Sequence, residues 1–63
     1  METIVEIKEL IESISTDYKK VKAGNHAASI RARKNAQHLK TLIPKFRKDV
    51  SDELKKHKND DGN

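Results

Sequence analysis

Apolar side chains recur at steps of three and four residues in two separate segments of the chain. Such spacing places them on one stripe of an α-helix, so the sequence predicts two helices and an all-α fold. The predicted stripe of the first helix consists of Ile4, Ile7, Ile11, Ile14, Tyr18 and Val21. The predicted stripe of the second consists of Ala28, Ala32, Ala36, Leu39, Ile43, Phe46 and Val50.

The link between the two segments is only Gly24 and Asn25. Glycine suits the left-handed residue just past a helix end, and asparagine is a favoured N-cap for the helix that follows. Because the link is so short, we expect the second helix to run back along the first as an antiparallel helical hairpin. The predicted boundaries of this single domain, residues 1–57, are helix 3–23, turn 24–25 and helix 26–57.

Three further predictions concern the start of the first helix, Pro44 in the second helix and the C-terminal residues. Thr3 and Glu6 have the spacing of a capping box at the start of the first helix. Pro44 lies inside the second helix, where it lacks an N–H, so we expect a kink there. We favour a kink over two separate helices because the apolar stripe keeps its phase across Pro44. Residues 58–63 are polar and are predicted to be a disordered tail.

The two predicted helices differ in length, and this predicts self-association. Residues beyond about 47, including Val50 and Leu54, extend past the start of the first helix with nothing to cover them. A single hairpin also leaves half of each apolar stripe in contact with water. A four-helix bundle made from two hairpins resolves both problems, so we predict a homodimer.

The composition excludes several classes of protein. With 63 residues, a monomer buries too little surface for the usual enzyme pocket, so we predict no enzyme, no cofactor and no small-molecule substrate. The chain has no cysteine, which excludes disulfides and thiolate zinc sites. No apolar run could span a membrane and no secretory signal is recognisable, so we expect a cytoplasmic protein.

Charge is distributed very unevenly along the chain. Residues 1–17 carry a net charge of −4 and residues 49–63 a net charge of −2, whereas residues 18–48 carry ten Lys and Arg and no acid. Each cation that neutralises a phosphate releases condensed counterions, which gives salt-sensitive binding that does not depend on base sequence. The second helix therefore has the character of a surface for a nucleic-acid backbone.

The basic residues of the second helix fall into two rows with seven-residue spacing, one on each flank of the apolar stripe. One row is Arg33, Lys40 and Arg47, and the other is Arg31, His38 and Lys45. Asn25, together with the free N–H groups of the first turn of the second helix, is a further candidate for a phosphate. The predicted DNA-binding residues are Lys19, Lys20, Lys22, Asn25, Arg31, Arg33, Lys34, Lys40, Arg47 and Lys48.

Other interpretations of the same residues remain open. The basic surface is equally consistent with a solvated helix face, in which acids of the first helix neutralise Lys40, Lys45 and Lys48. The hairpin is also consistent with a protein-interaction module that docks Val50 and Leu54 on a partner. A membrane-surface helix is disfavoured because the first helix offers a matching apolar stripe. The three histidines have no metal-ligand spacing around them.

The stretch from Lys22 to Lys34, KAGNHAASIRARK, resembles the short bacterial linker-histone-like proteins of the chlamydial type. The resemblance extends over residues 4 to 50 and implies a nucleoid-associated protein that binds and compacts DNA with little sequence preference. Longer members of that family carry a basic tail that these residues do not include. The positions that the resemblance implies as DNA contacts are Lys22, Arg31, Arg33, Lys34, Arg47 and Lys48.

Together, the residues and the resemblance predict a histone-like protein of the nucleoid. It binds double-stranded DNA through its basic second helix, and its dimer bridges or compacts DNA segments. Phosphate contacts of this kind serve RNA as well, and no aromatic pair or zinc finger is present to distinguish bases.

Overall fold

The chain forms an antiparallel hairpin of two helices, α1 (Thr3–Lys22) and α2 (His26–Lys55). The computed structural model describes residues 2–57. The hairpin measures 53 × 18 × 16 Å, because α2 extends well past the beginning of α1. The predicted all-α hairpin is confirmed, although the helices end at 22 and 55 rather than at 23 and 57. The predicted disordered tail, 58–63, lies outside the described residues.

The turn has the backbone geometry that its two residues favour. Gly24 has a φ of +93°, which is the left-handed region. The N–H of Asn25 donates to the carbonyl of Lys20 at 2.9 Å, and the N–H of Gly24 donates to the carbonyl of Val21 at 2.9 Å. This pair of bonds is a Schellman motif, which satisfies carbonyls that the helix end leaves open. The side chain of Asn25 then accepts a hydrogen bond from the N–H of Ala28 at 2.9 Å and caps α2 as predicted.

The start of α1 differs from the prediction. Glu2 is the N-cap residue and makes no side-chain cap hydrogen bond, so the predicted capping box of Thr3 and Glu6 is wrong. Thr3 is instead the first helical residue and is buried between the helices.

Pro44 does not divide the second helix. α2 is one continuous helix of 30 residues with Pro44 inside it. Pro44 is exposed on the side of α2 that faces away from α1. Because this side of α2 is exposed, water can hydrogen-bond to the carbonyl of Lys40 that the proline leaves without its intrahelical partner.

The contact between the helices, called the seam below, uses the preceding residue instead of the predicted one at five of the 13 stripe positions. The residues that are buried or half-buried at the seam recur at steps of three and four, as in the prediction. On α1 they are Thr3, Ile7, Leu10, Ile14, Asp17 and Val21. On α2 they are Ala28, Ala32, Asn35, Leu39, Leu42 and Phe46. The prediction was therefore right for Ile7, Ile14, Val21, Ala28, Ala32, Leu39 and Phe46 and wrong for Ile4, Ile11, Tyr18, Ala36, Ile43 and Val50.

This difference follows from the width of the apolar bands. Each helix carries an apolar band wider than one helix can cover, and Leu10 and Leu42 form the edge that is used. Only from this edge does Arg31 reach Asp17, at 3.2 Å, and does Asn35 reach Ser13, at 3.3 Å. The alternation of apolar residues alone does not predict which of the two edges is buried.

The unused edges of both helices form a second apolar surface, called the apolar side below. In an antiparallel pair, positions that follow the seam by one residue lie on the same side of both helices. Ile11 and Tyr18 are accordingly 51% and 59% exposed. The apolar side consists of Ile4, Ile11, Tyr18, Ala36, Ile43 and Val50. The opposite side, called the polar side, carries Glu6, Ser13, Lys20, Arg31, His38 and Lys45.

Replacement of Gly24 by alanine is expected to destabilise the hairpin by about 1 kcal/mol, because a side chain disfavours positive φ. A Cβ at this position would meet nothing within 4 Å, so the loss is one of backbone conformation and not of packing. Urea unfolding followed by circular dichroism measures it. Gly24→Asn is the control and should lose less, since asparagine tolerates the left-handed region. Equal stability of Gly24→Ala and the parent chain would contradict this account of the turn.

Candidate nucleic-acid interface

Five cations occupy the face of α2 that points away from α1, called the outer basic face below. Arg33, Lys40 and Arg47 recur every seven residues, which is a spacing of about 10.5 Å along the helix. Lys34 and Lys48 each follow a member of this row and lie on the other flank of the same face. All five side chains belong to exposed residues. α2 therefore presents positive charge to the solvent from Arg33 to Lys48.

The turn end adds a second group of cations. Lys19, Lys20 and Lys22 belong to the last turn of α1, where positive charge also complements the helix dipole. The ammonium of Lys22 lies over the ring of Tyr18, with Nζ 5.6 Å from the ring centre. A cation–π contact of this kind leaves the N–H donors of Lys22 available to an anion.

Most of these cations make no internal ion pair. Within residues 2–57, no ion pair involves Arg33, Lys34, Lys40 or Arg47. Lys48 pairs with Asp52 at 3.1 Å on the surface of its own helix, and an exposed pair of this type contributes little. The acids of α1 therefore do not neutralise the outer basic face, as the solvated-face interpretation had required for Lys40, Lys45 and Lys48.

The second predicted row lies on a different surface. Arg31, His38 and Lys45 belong to the polar side, so the structure does not place them with the outer basic face. Arg31 also differs from the others in having an internal partner, since its Nη2 donates to Oδ1 of Asp17 at 3.2 Å. Its remaining N–H donors stay available, because its side chain is half exposed.

Asn25 is already engaged within the fold. Its side-chain oxygen accepts from the N–H of Ala28, which is one of the N–H groups that the sequence offered to a phosphate. The cap therefore uses part of the anion site that was expected at the start of α2. The N–H groups of the first turn that remain are those of His26 and Ala27.

Comparison with known proteins gives one family. The profile of the family described as Histone H1-like protein Hc1 matches residues 1–56. The chain belongs to this family. The match covers both helices and confirms the resemblance seen in the stretch from Lys22 to Lys34. No curated protein and no solved structure gives a significant match.

Membership of the Hc1 family indicates a histone-like, DNA-binding, nucleoid-associated protein, and the family is one of DNA packaging rather than of enzymes. Two structural findings bear on other classes of function. Among the residues that the structure describes, no group of three His, Asp or Glu side chains could hold a metal ion. In the same part of the chain, neither helix is long and apolar enough to cross a membrane.

Asp17 is the residue that sequence reasoning missed. It is only 5% exposed at the seam, one residue before the acid-free stretch begins. Oδ1 accepts from Arg31, whereas Oδ2 has no hydrogen-bond partner within residues 2–57. The signal for this position was its spacing of seven residues from Leu10 and fourteen from Thr3, which places it on the seam edge that is used.

Replacement of Asp17 by leucine is expected to raise the free energy of unfolding by about 1 kcal/mol. Burial at the seam removes water from the Asp17 carboxylate, which costs free energy. The ion pair with half-exposed Arg31 offsets little of that desolvation cost. Urea unfolding measures the change. Glu12→Leu, at an exposed position of the same helix, is the control and should stay within about 0.5 kcal/mol of the parent chain. A less stable Asp17→Leu variant would show instead that the pair with Arg31 holds the helices together.

Proposed function

We propose that this protein binds duplex DNA without sequence preference through the outer basic face and the turn end. The observation that carries the proposal is that Arg33, Lys34, Lys40 and Arg47 are exposed and have no acidic partner within residues 2–57. Unpaired cations on a rigid helix can follow a phosphate backbone without first breaking internal ion pairs. Membership of the Hc1 family supports DNA as the polyanion.

The chemistry of the face favours backbone contacts over contacts to bases. Arginine binds phosphate in a bidentate manner and lysine binds it as a point charge. The outer face of α2 carries one exposed amide side chain, Gln37, among the five cations, so contacts to phosphate outnumber any contact to a base. Affinity should therefore depend on salt far more than on base sequence.

Two hairpins that associate would carry two outer basic faces, and this is how the protein would bridge or compact DNA. A single hairpin has one such face, so bridging requires a second copy. The four-helix dimer predicted from the sequence supplies it. We place this activity on the bacterial chromosome, within the cytoplasm.

The direct test is fluorescence anisotropy of a labelled 30-base-pair duplex over a salt series. The logarithm of the association constant should fall linearly with the logarithm of salt concentration, with a slope of roughly −0.9 for each phosphate neutralised. A second duplex of unrelated sequence should give the same line. No binding at low salt would contradict the proposal and would favour the protein-interaction module instead.

The location of the site is tested by charge-neutral variants. The triple variant Arg33→Gln, Lys40→Gln and Arg47→Gln should reduce the magnitude of the salt slope by about 2.7 if all three side chains contact phosphate. The control is Lys8→Gln, Lys55→Gln and Lys56→Gln, which changes the net charge equally but lies outside the acid-free stretch.

The control variant should keep nearly the parent slope. Equal losses in the two triple variants would mean that only net charge matters and that no particular face binds DNA. An unchanged slope in the first variant would move the site to another surface.

A further inference from the structure

A line of uncharged side chains, called the midline below, runs along the centre of the outer basic face. It consists of Ile30, Gln37 and Pro44, which recur every seven residues. Each of them follows one seam residue by two positions and precedes the next seam residue by two, so each points directly away from α1. All three residues are exposed, and Ile30 is 55% exposed.

The position of the midline depends on which edge of the apolar band is buried. If the stripe predicted from the sequence were buried, Lys34 and Lys48 would point directly away from α1. The observed seam instead moves both lysines to one flank of the outer basic face and leaves Arg33, Lys40 and Arg47 on the other flank. The cations of the two flanks therefore lie about 50° to either side of an uncharged line.

We infer that α2 enters the major groove of B-form DNA, with the midline toward the base edges and one flank of cations toward each strand. This placement rests on the proposed function and deepens it by naming the groove that the outer basic face fits. An α-helix with its side chains is about 10–12 Å across. The major groove is about 12 Å wide and about 8.5 Å deep, whereas the minor groove is only about 6 Å wide. Only the major groove therefore admits α2.

The separation of the cations into two flanks fits a groove better than a single strand. A helix that follows one strand places its charge best at the centre of its face, where the phosphates are nearest. The centre of the outer basic face carries no charge, and Arg33 and Lys34 diverge from it to opposite sides. Because phosphates border both walls of a groove, diverging cations reach both strands at once.

The chemistry of the midline is compatible with binding that does not depend on base sequence. Ile30 and Pro44 have no side-chain donor or acceptor, so they require no particular base at the groove floor. The amide of Gln37 both donates and accepts hydrogen bonds, and it can therefore serve more than one base pair. The helix can occupy the groove while the flanking cations supply most of the affinity.

The rest of the hairpin does not obstruct this approach. α1 lies on the opposite side of α2 from the midline, and the hairpin is only 18 × 16 Å in cross-section. α2 is also one continuous helix across Pro44, so the midline extends for about 21 Å from Ile30 to Pro44. α2 can therefore enter the groove while α1 stays outside it.

Duplex RNA does not offer the same site. The major groove of A-form RNA is deep and too narrow for side chains to read, and its minor groove is wide and shallow. On such a duplex α2 stays at the surface, where its two flanks cannot contact both walls of a groove. We therefore expect a preference for duplex DNA over duplex RNA, even though most of the contacts are to phosphates.

The preference is tested by fluorescence anisotropy of labelled DNA and RNA duplexes that have the same length and sequence, at the same salt concentration. The full chain should bind the DNA duplex at least about 10-fold more tightly than the RNA duplex. Equal affinities, or tighter binding to RNA, would overturn the groove placement and leave DNA binding by the outer basic face standing. No binding to either duplex at low salt would defeat the proposed function itself.

The groove itself is tested with DNA in which one groove is filled. Glucosylated 5-hydroxymethylcytosine places a bulky sugar in the major groove and leaves the phosphates unchanged, so the affinity should fall by at least about 10-fold. Netropsin fills the minor groove of an A·T-rich duplex and should change the affinity by less than about 3-fold. The reverse pattern, or no effect of either group, would overturn the groove placement.

The orientation of α2 is tested by the variant Gln37→Glu. In the groove this acid lies between two walls of phosphate, so the affinity for DNA should fall by at least about 10-fold and the preference for DNA over RNA should fall with it. The control is Thr16→Glu at an exposed position of α1, which changes the net charge equally and should keep the preference. Circular dichroism should show equal helix content in both variants. If Gln37→Glu weakened the binding of DNA and RNA by the same factor, the midline would not face the groove.

Discussion

The structure depends on a narrow contact between two helices joined by a turn of two residues. Each helix packs only one edge of its apolar band against the other helix, so few side chains are fully removed from water. Leu42 and Ala28 are 3% and 0% exposed, whereas most seam residues are only half-buried. A hairpin of this size has little stability to spare, and every surface outside the seam must be compatible with water or with a partner.

The narrow seam also explains how charge is arranged. Because α2 contacts α1 along one edge, its outer face is free to carry cations at every second turn. Among residues 2–57, the acids other than Asp17 lie at the start of the chain, up to Glu12, and at the far end of α2, and none of them pairs with Arg33, Lys40 or Arg47. The one acid that does cross the seam, Asp17, pairs with Arg31 on the polar side. Unneutralised charge on α2 is therefore a property of the fold and not only of the composition.

Much of this arrangement follows from the sequence. The two helices, the Schellman turn at Gly24 and the cap at Asn25 are local features, and local rules predict them. Sequence reasoning predicted the wrong edge of each apolar band, because Ile11 and Leu10 are equally apolar and lie side by side. The edge that is used brings together residues far apart in the sequence, such as Asp17 with Arg31 and Ser13 with Asn35, and helical spacing within one helix does not reveal such contacts. The same choice separates the two predicted basic rows, which helical spacing alone had placed symmetrically about one stripe.

We place the contact with DNA on the outer face of α2 and the turn. Titration of the ¹⁵N-labelled protein with a short duplex, followed residue by residue by nuclear magnetic resonance, tests it most directly. We expect the largest shift changes at Arg33, Lys34, Lys40 and Arg47 and at the turn lysines, with little change in the first half of α1. Changes centred on the acidic half of α1, or no changes at low salt, would contradict it.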